Sequence, residues 1–148
     1  MVGNVKIGLL LNKEEILWLN QAEEIESRYS AGKRIYHIRD QRFGKNAQIT
    51  LTALARYDQE GALFVLDCQS VSPKLEWICQ FGGVRGKRFS RNGDLGADPW
   101  DAFCMKKDYC LNNHYEIKKN RFRVNYGKDN AFSLYGHFPK ASRLALAD

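Results

Sequence analysis

Ile49-Thr50-Leu51-Thr52-Ala53-Leu54-Ala55-Arg56-Tyr57, then Asp58-Gln59-Glu60-Gly61, then Leu63-Phe64-Val65-Leu66-Asp67-Cys68, is the stretch that decides the fold. Ile49, Leu51, Ala53, Ala55 and Tyr57 fall on one face of a strand, because side chains alternate across the pleat. The polar tetrapeptide ends in Gly61, where a reversal often wants positive φ. Leu63 to Cys68 returns as a heavily apolar strand, which predicts a central position in the sheet.

Alternation continues on both sides of this hairpin. Val5, Ile7, Leu9 and Leu11 mark a first strand. Lys13 to Glu26 is compatible with a short amphipathic helix capped by Asn12, and nearly as well with two short strands. Arg28 to Arg39 reads as a strand bent at Ala31-Gly32, with Ile35 and His37 on one face. Beyond Ser72-Pro73, Leu75, Trp77, Cys79 and Phe81 alternate with Glu76 and Gln80. A second hairpin has Tyr115 and Ile117 on one arm, a Lys118-Lys119-Asn120 turn, and Phe122, Val124 and Tyr126 on the other. Ala131 to Tyr135 adds a last strand. Gly82 to Asn113 is rich in glycine and charge and has little periodicity, and a long irregular segment of this kind is usually functional or mobile. The expected architecture is mainly β, an antiparallel β-sandwich with one long irregular loop. Leu51, Leu66, Trp77, Cys79, Phe122 and Val124 are its expected buried residues.

The chain has 148 residues and is 44% hydrophobic, enough for one domain over 1–148 with a real core. Its net charge of +6 arises entirely from Lys74 onward, where 14 Lys/Arg face 8 Asp/Glu. Such a half attracts nucleic acid or acidic polymers, but basic runs more often form solvated faces. No stretch is long and apolar enough to span a membrane. Met1-Val2-Gly3-Asn4 does not open a signal peptide. The apolar end, Ser142 to Asp148, carries no helix stop signal, as a cut through a longer protein would leave it.

No complete active site is legible. Asn92, Asp94, Asp98 and Asp101 could hold calcium, but their spacing is not that of an EF-hand, and turn chemistry explains them. Asp94, Asp98, Asp101 and Asp108 could supply glycosidase carboxylates, although linear spacing cannot oppose them. His37, His114 and His137 lie in no nucleophile signature. Gly82-Gly83-Val84-Arg85-Gly86-Lys87 lacks the order of a phosphate-binding loop. Neither a cofactor nor a metal is expected. Cys68 and Cys79 read as small core residues, while Cys104 and Cys110 lie in a polar loop. The candidate binding or interdomain residues are Arg85, Arg88, Arg91, Asp94, Asp98, Trp100 and Tyr109. The basic block is expected to pair with the acidic block across Asn92-Gly93, and Trp100 and Tyr109 are the rings best placed to stack on sugar or on a neighbouring domain.

Several segments also resemble a known family. They are Gly32-Lys33-Arg34-Ile35-Tyr36, the Leu51-Thr52-Ala53-Leu54-Ala55-Arg56 hairpin and Phe81-Gly82-Gly83 with Gly86-Lys87. Arg91-Asn92-Gly93-Asp94-Leu95-Gly96-Ala97-Asp98-Pro99, Lys107-Asp108-Tyr109-Cys110 and Asn113-His114-Tyr115-Glu116-Ile117 complete the set. Together they resemble the N-terminal region of an uncharacterised family of large gut-bacterial proteins, over most of Gly32 to Phe132. Those proteins look like six-hairpin glycosidases, with a β-sandwich followed by an (α/α)-barrel. The resemblance implies a non-catalytic accessory domain of a bacterial glycoside hydrolase. It implies catalysis in the downstream barrel, a periplasmic or secreted location, and a contribution to carbohydrate binding. The alternatives are a self-contained carbohydrate-binding module and, least favoured, a basic nucleic-acid-binding domain.

Overall fold

The computed structural model describes residues 3–82, 111–127 and 132–146. The described strands are β1 (Asn4–Leu11), β2 (Glu15–Trp18), β3 (Glu24–Ser30), β4 (Lys33–Arg39), β5 (Gln48–Ala55), β6 (Ala62–Gln69), β7 (Glu76–Gly82), β8 (His114–Lys118), β9 (Arg121–Tyr126) and β10 (Phe132–His137). They form sheets ordered β2-β1-β7, β3-β4-β5-β6 and β10-β9-β8. The fold is mainly β and sandwich-like, as the alternating pattern predicts. Two compact units emerge: Lys6–Gln80, and the described residues among Met1–Val5 and Phe81–Asp148.

In the first unit the ambiguous segment resolves toward strands. Asn12 and Lys13 take left-handed φ of 51° and 66°, and Glu14 N donates to Leu11 O at 3.1 Å. This tight reversal lays β2 antiparallel on β1 instead of opening a helix. Only a single 3-10 turn, Leu19–Gln21, precedes β3. Arg28 to Arg39 is a true hairpin rather than a bent strand, with Ser30 opposite Lys33 and Gly32 at φ 77°, a conformation that glycine adopts at no steric cost.

Register explains the core. Across the four-stranded sheet, Ile25, Ile38, Ile49 and Cys68 form one row; Ser27, Tyr36, Leu51 and Leu66 form the next; Tyr29, Arg34, Ala53 and Phe64 form a third. These rows share one face, since alternate residues point the same way. Ile38 and Ile49 pack with Leu9 and Leu11 of β1, Leu17 of β2, Leu19, Phe43 and Ala47. Tyr36 and Leu51 lie against the margin of that cluster. The opposite face carries Glu24, Arg39, Glu26, His37, Thr50 and Asp67, so the sheet is amphipathic near the core.

Asp40 fastens this end of the sheet. Its carboxylate accepts from Arg42 N (2.9 Å), Arg42 Nε (2.8 Å), Arg42 Nη2 (2.6 Å) and Glu23 N (3.2 Å). One buried acid therefore caps the 3-10 turn Gln41–Phe43 and ties it to the entrance of β3. Phe43 follows at once and is fully buried.

The second unit is built on the three-stranded sheet. Tyr115, Val124 and Leu134 share a row, as do Ile117, Phe122 and Gly136. Val124 and Tyr126 are buried. Phe122 lies 5.0 Å from Phe81 and 6.1 Å from Phe138 between ring centroids. Its ring covers Gly136, where any Cβ would collide with it.

Burial departs from the sequence expectation in one consistent way. Val124 is buried as expected, and Leu51 and Phe122 are half-buried, but Leu66, Trp77 and Cys79 are exposed. β6 is not central: it borders the four-stranded sheet among the described residues, and all eight of its residues are exposed. Cys68 and Cys79 are free exposed cysteines rather than core residues. For Leu66 the physical reason is length, whereas Cys68 stands beside Ile49 but on the bordering strand, and Trp77 and Cys79 lie on β7 in another sheet. β3 to β6 extend past the end of the Leu9–Ile49 cluster, and apolar residues on the overhang find no opposing layer within the unit.

Candidate functional site

The residues expected to form a site, Arg85, Arg88, Arg91, Asp94, Asp98, Trp100 and Tyr109, lie outside the described residues, as do Asp101, Cys104, Asp108 and Cys110. The same holds for the proposed pairing of the basic and acidic blocks.

The described residues bring together a feature that the sequence reading missed. At the turn end of the four-stranded sheet both faces carry exposed apolar residues, with Arg28, Lys33 and Arg34 interspersed. Tyr29, Phe64 and Leu66 occupy the core-side face beyond the cluster, and Ile35, Leu54, Leu63 and Val65 occupy the outer face. Leu63 is 53% and Phe64 46% exposed, and Val65 and Leu66 are also open. Scattered apolar residues on a surface need no explanation, but a contiguous run on both faces of one strand marks an interaction surface. Such an edge also displays unpaired backbone groups that can template further pairing. The signal was present in the apolar run itself, which periodicity cannot distinguish from a buried strand.

Trp77 is 41% exposed on β7. Trp77→Ala is therefore expected to cost about 1 kcal/mol, well short of the roughly 3–5 kcal/mol of a core Trp. Urea unfolding of the two proteins checks this, and a loss of core size would return Trp77 to the interior.

A depression of about 530 Å³ is lined by Glu23, Glu24, Arg39, Asp40, Gln41, Gly44, Lys45, Asn46 and Ala47. Its carboxylates are already engaged. Glu24 pairs with Arg39 at 3.4 Å, Glu23 Oε2 accepts from Gln41 N at 3.4 Å, and Asp40 binds Arg42. Arg42 holds the Asp40 carboxyl below its usual range, which suits a structural anion better than a proton donor. Among the described residues, no three His, Cys, Asp or Glu side chains assemble as metal ligands. Desolvation pushes the Cys68 and Cys79 thiols up, away from the thiolate a nucleophile requires. His37 sits on the polar face, its Nδ1 3.3 Å from Thr50 Oγ1.

Among the described residues, the polar face of β8-β9-β10 also has chemical character. His114, Asn125 and Ser133 form one row, Glu116, Arg123 and Tyr135 a second, and Lys118, Arg121 and His137 a third. The Arg123 guanidinium stands over the Tyr135 ring, 5.4 Å from its centroid, and its Nη2 donates to Ser133 Oγ at 3.3 Å.

No curated protein and no solved structure matches the chain. One family model does, and it covers residues 1–148. The chain belongs to the family described as a domain of unknown function, DUF4450.

Proposed function

We propose that this chain is a non-catalytic accessory domain of a bacterial glycoside hydrolase of the periplasm or cell exterior. It docks on a helical catalytic barrel of the same polypeptide through the apolar turn end of its four-stranded sheet. One observation carries the docking: β6 is exposed along its whole length, with Leu63 and Val65 on one face and Phe64 and Leu66 on the other. Covering such a strand yields roughly 25 cal/mol for each Å² of apolar surface removed from water. The carbohydrate context rests on the resemblance carried by residues 32–132. Every described carboxylate of the Asp40 depression is committed to a structural partner, which supports an accessory rather than a catalytic role.

Hydrogen exchange tests the reading. The amides of residues 62–69 are expected to exchange at least about tenfold more slowly in the full-length polypeptide than in the isolated domain. Leu63→Glu in the full-length protein should reverse that protection, because burying an unpaired charge is costly. Equal exchange in both forms would sink the docking surface. A full-length polypeptide without a helical glycosidase-like region would sink the parent assignment.

A further inference from the structure

On the polar face of the three-stranded sheet, Lys118, Arg121 and His137 stand side by side across β8, β9 and β10. Neighbouring strands lie about 4.8 Å apart. Like charges directly opposite one another destabilise a sheet, and among the described residues neither Lys118 nor Arg121 has an acidic partner within ion-pair distance. All three side chains are exposed.

The tautomer of His137 sharpens the pattern. Asn120 Nδ2 lies 2.9 Å from His137 Nε2, and the same amide donates to Phe138 O. Exchanging the amide's oxygen and nitrogen would place two acceptors together at Phe138. The geometry therefore makes His137 Nε2 the acceptor and leaves Nδ1–H as the ring's donor. The row then offers an ammonium, a guanidinium and an imidazole N–H, and its one acceptor, His137 Nε2, is already taken by Asn120. Lys119, in the adjoining turn, holds a left-handed φ of 56°, where Asn or Gly is the usual residue. It adds a further cation at the same tip.

We infer that this row is a binding site for an acidic carbohydrate, a glycan bearing carboxylate or sulfate groups. Donor-only rows are complementary to acceptor-only ligands, and Arg recognises planar oxyanions in two-pronged fashion. The next row decides between glycan and nucleic acid. Tyr135 is 69% exposed and is braced by Arg123, so its ring is available for a sugar's C–H face. Glu116 stands in the same row. Its carboxylate accepts hydrogens from sugar hydroxyls, donors that the phosphodiester backbone of DNA lacks. The inference deepens the carbohydrate reading and rests on it for the parent context, whereas the docking surface of β6 is independent of it.

The isolated domain is titrated with polygalacturonate, dextran sulfate, neutral dextran and an oligothymidylate. Binding of one or both acidic glycans, with none to dextran, is expected. Comparing the two acidic glycans distinguishes carboxylate from sulfate recognition. Lys118→Gln/Arg121→Gln should weaken binding roughly tenfold or more and flatten its salt dependence, while the melting temperature does not fall, because both residues are exposed and their mutual repulsion is relieved. Tyr135→Ala should weaken glycan binding without altering the salt slope. Failure to bind any polymer, or binding indifferent to the double substitution, would overturn the site and leave the docking surface standing. Preferential binding of the oligothymidylate, lost in the double variant, would overturn the glycan assignment, while the carbohydrate context of the parent is decided separately by the full-length polypeptide.

Discussion

Truncating Phe43 to alanine is expected to remove about 3–5 kcal/mol of stability. Phe43 is fully buried and lies in the cluster that joins β1 and β2 to β4 and β5. Ile38, Ile49 and Leu9 of the same cluster are set by strand register, and cavities among such residues relax only partly. The Phe43 carbonyl accepts from Ser72 N at 2.9 Å, so the cavity would open next to the connection between β6 and β7. Domains are stable by only about 5–15 kcal/mol, which makes this loss a large share of the total. The measurement is urea unfolding, with the fully exposed Tyr57 replaced by alanine as the control. A change below about 1 kcal/mol for Phe43→Ala would contradict the placement of the core.

Asp40 provides the second large effect. Asp40→Ala is expected to cost about 2–4 kcal/mol, because it removes charge-assisted hydrogen bonds and leaves the Glu23 and Arg42 amides without their acceptor. The Arg42 side chain is partly exposed, so part of its loss is recovered from water. The acid has a pH signature as well. Its hydrogen bonds from Arg42 hold its pKa below the ordinary value of 3.8. A carboxyl whose folded pKa is lowered stabilises the fold above its unfolded pKa, and the contribution fades as pH falls through the folded value. Asp40→Asn should therefore be clearly less stable than the parent near about pH 7, and the gap should narrow below about pH 4. Other carboxylates titrate in both proteins and cancel in the difference. A gap that persists unchanged into acid would mean that packing of the Asp40 side chain, rather than its charge, fastens this end of the sheet.

Glycan binding at Lys118, Arg121 and His137 and docking at β6 concern different surfaces, and each has its own readout. The first is salt-sensitive and survives in the isolated domain. The second appears only when the partner layer is present.

Local chemistry made much of this protein legible from residues alone. The Asp58–Gly61 reversal, the Lys118–Asn120 turn and the period-two alternation of Ile49 to Ala55 and Phe122 to Tyr126 are short-range features. They specify strands, hairpins and the residues that share a face. Lys13 to Glu26 was ambiguous because a few apolar residues fit either period. The left-handed Asn12 and Lys13 that select the strands are a property of the folded backbone. The donor row was hidden for a related reason: Lys118 and Arg121 are close in sequence, but His137 reaches them only through the pairing of β10 with β9.

Coverage was beyond the reach of alternation. An apolar run reports what a strand would bury, while burial requires an opposing layer contributed from elsewhere in the chain. Ile49 and Leu66 illustrate the difference on one face of one sheet. Ile49 meets Leu9, Leu17 and Phe43 and is sealed, whereas Leu66, farther along the overhang and on the bordering strand, meets none of them. Outside Lys13 to Arg39, the residues determined the strands, their partners across the two hairpins and their apolar faces. Only the tertiary structure decided which of those faces lie in the core and which stand open, because that depends on where each layer ends.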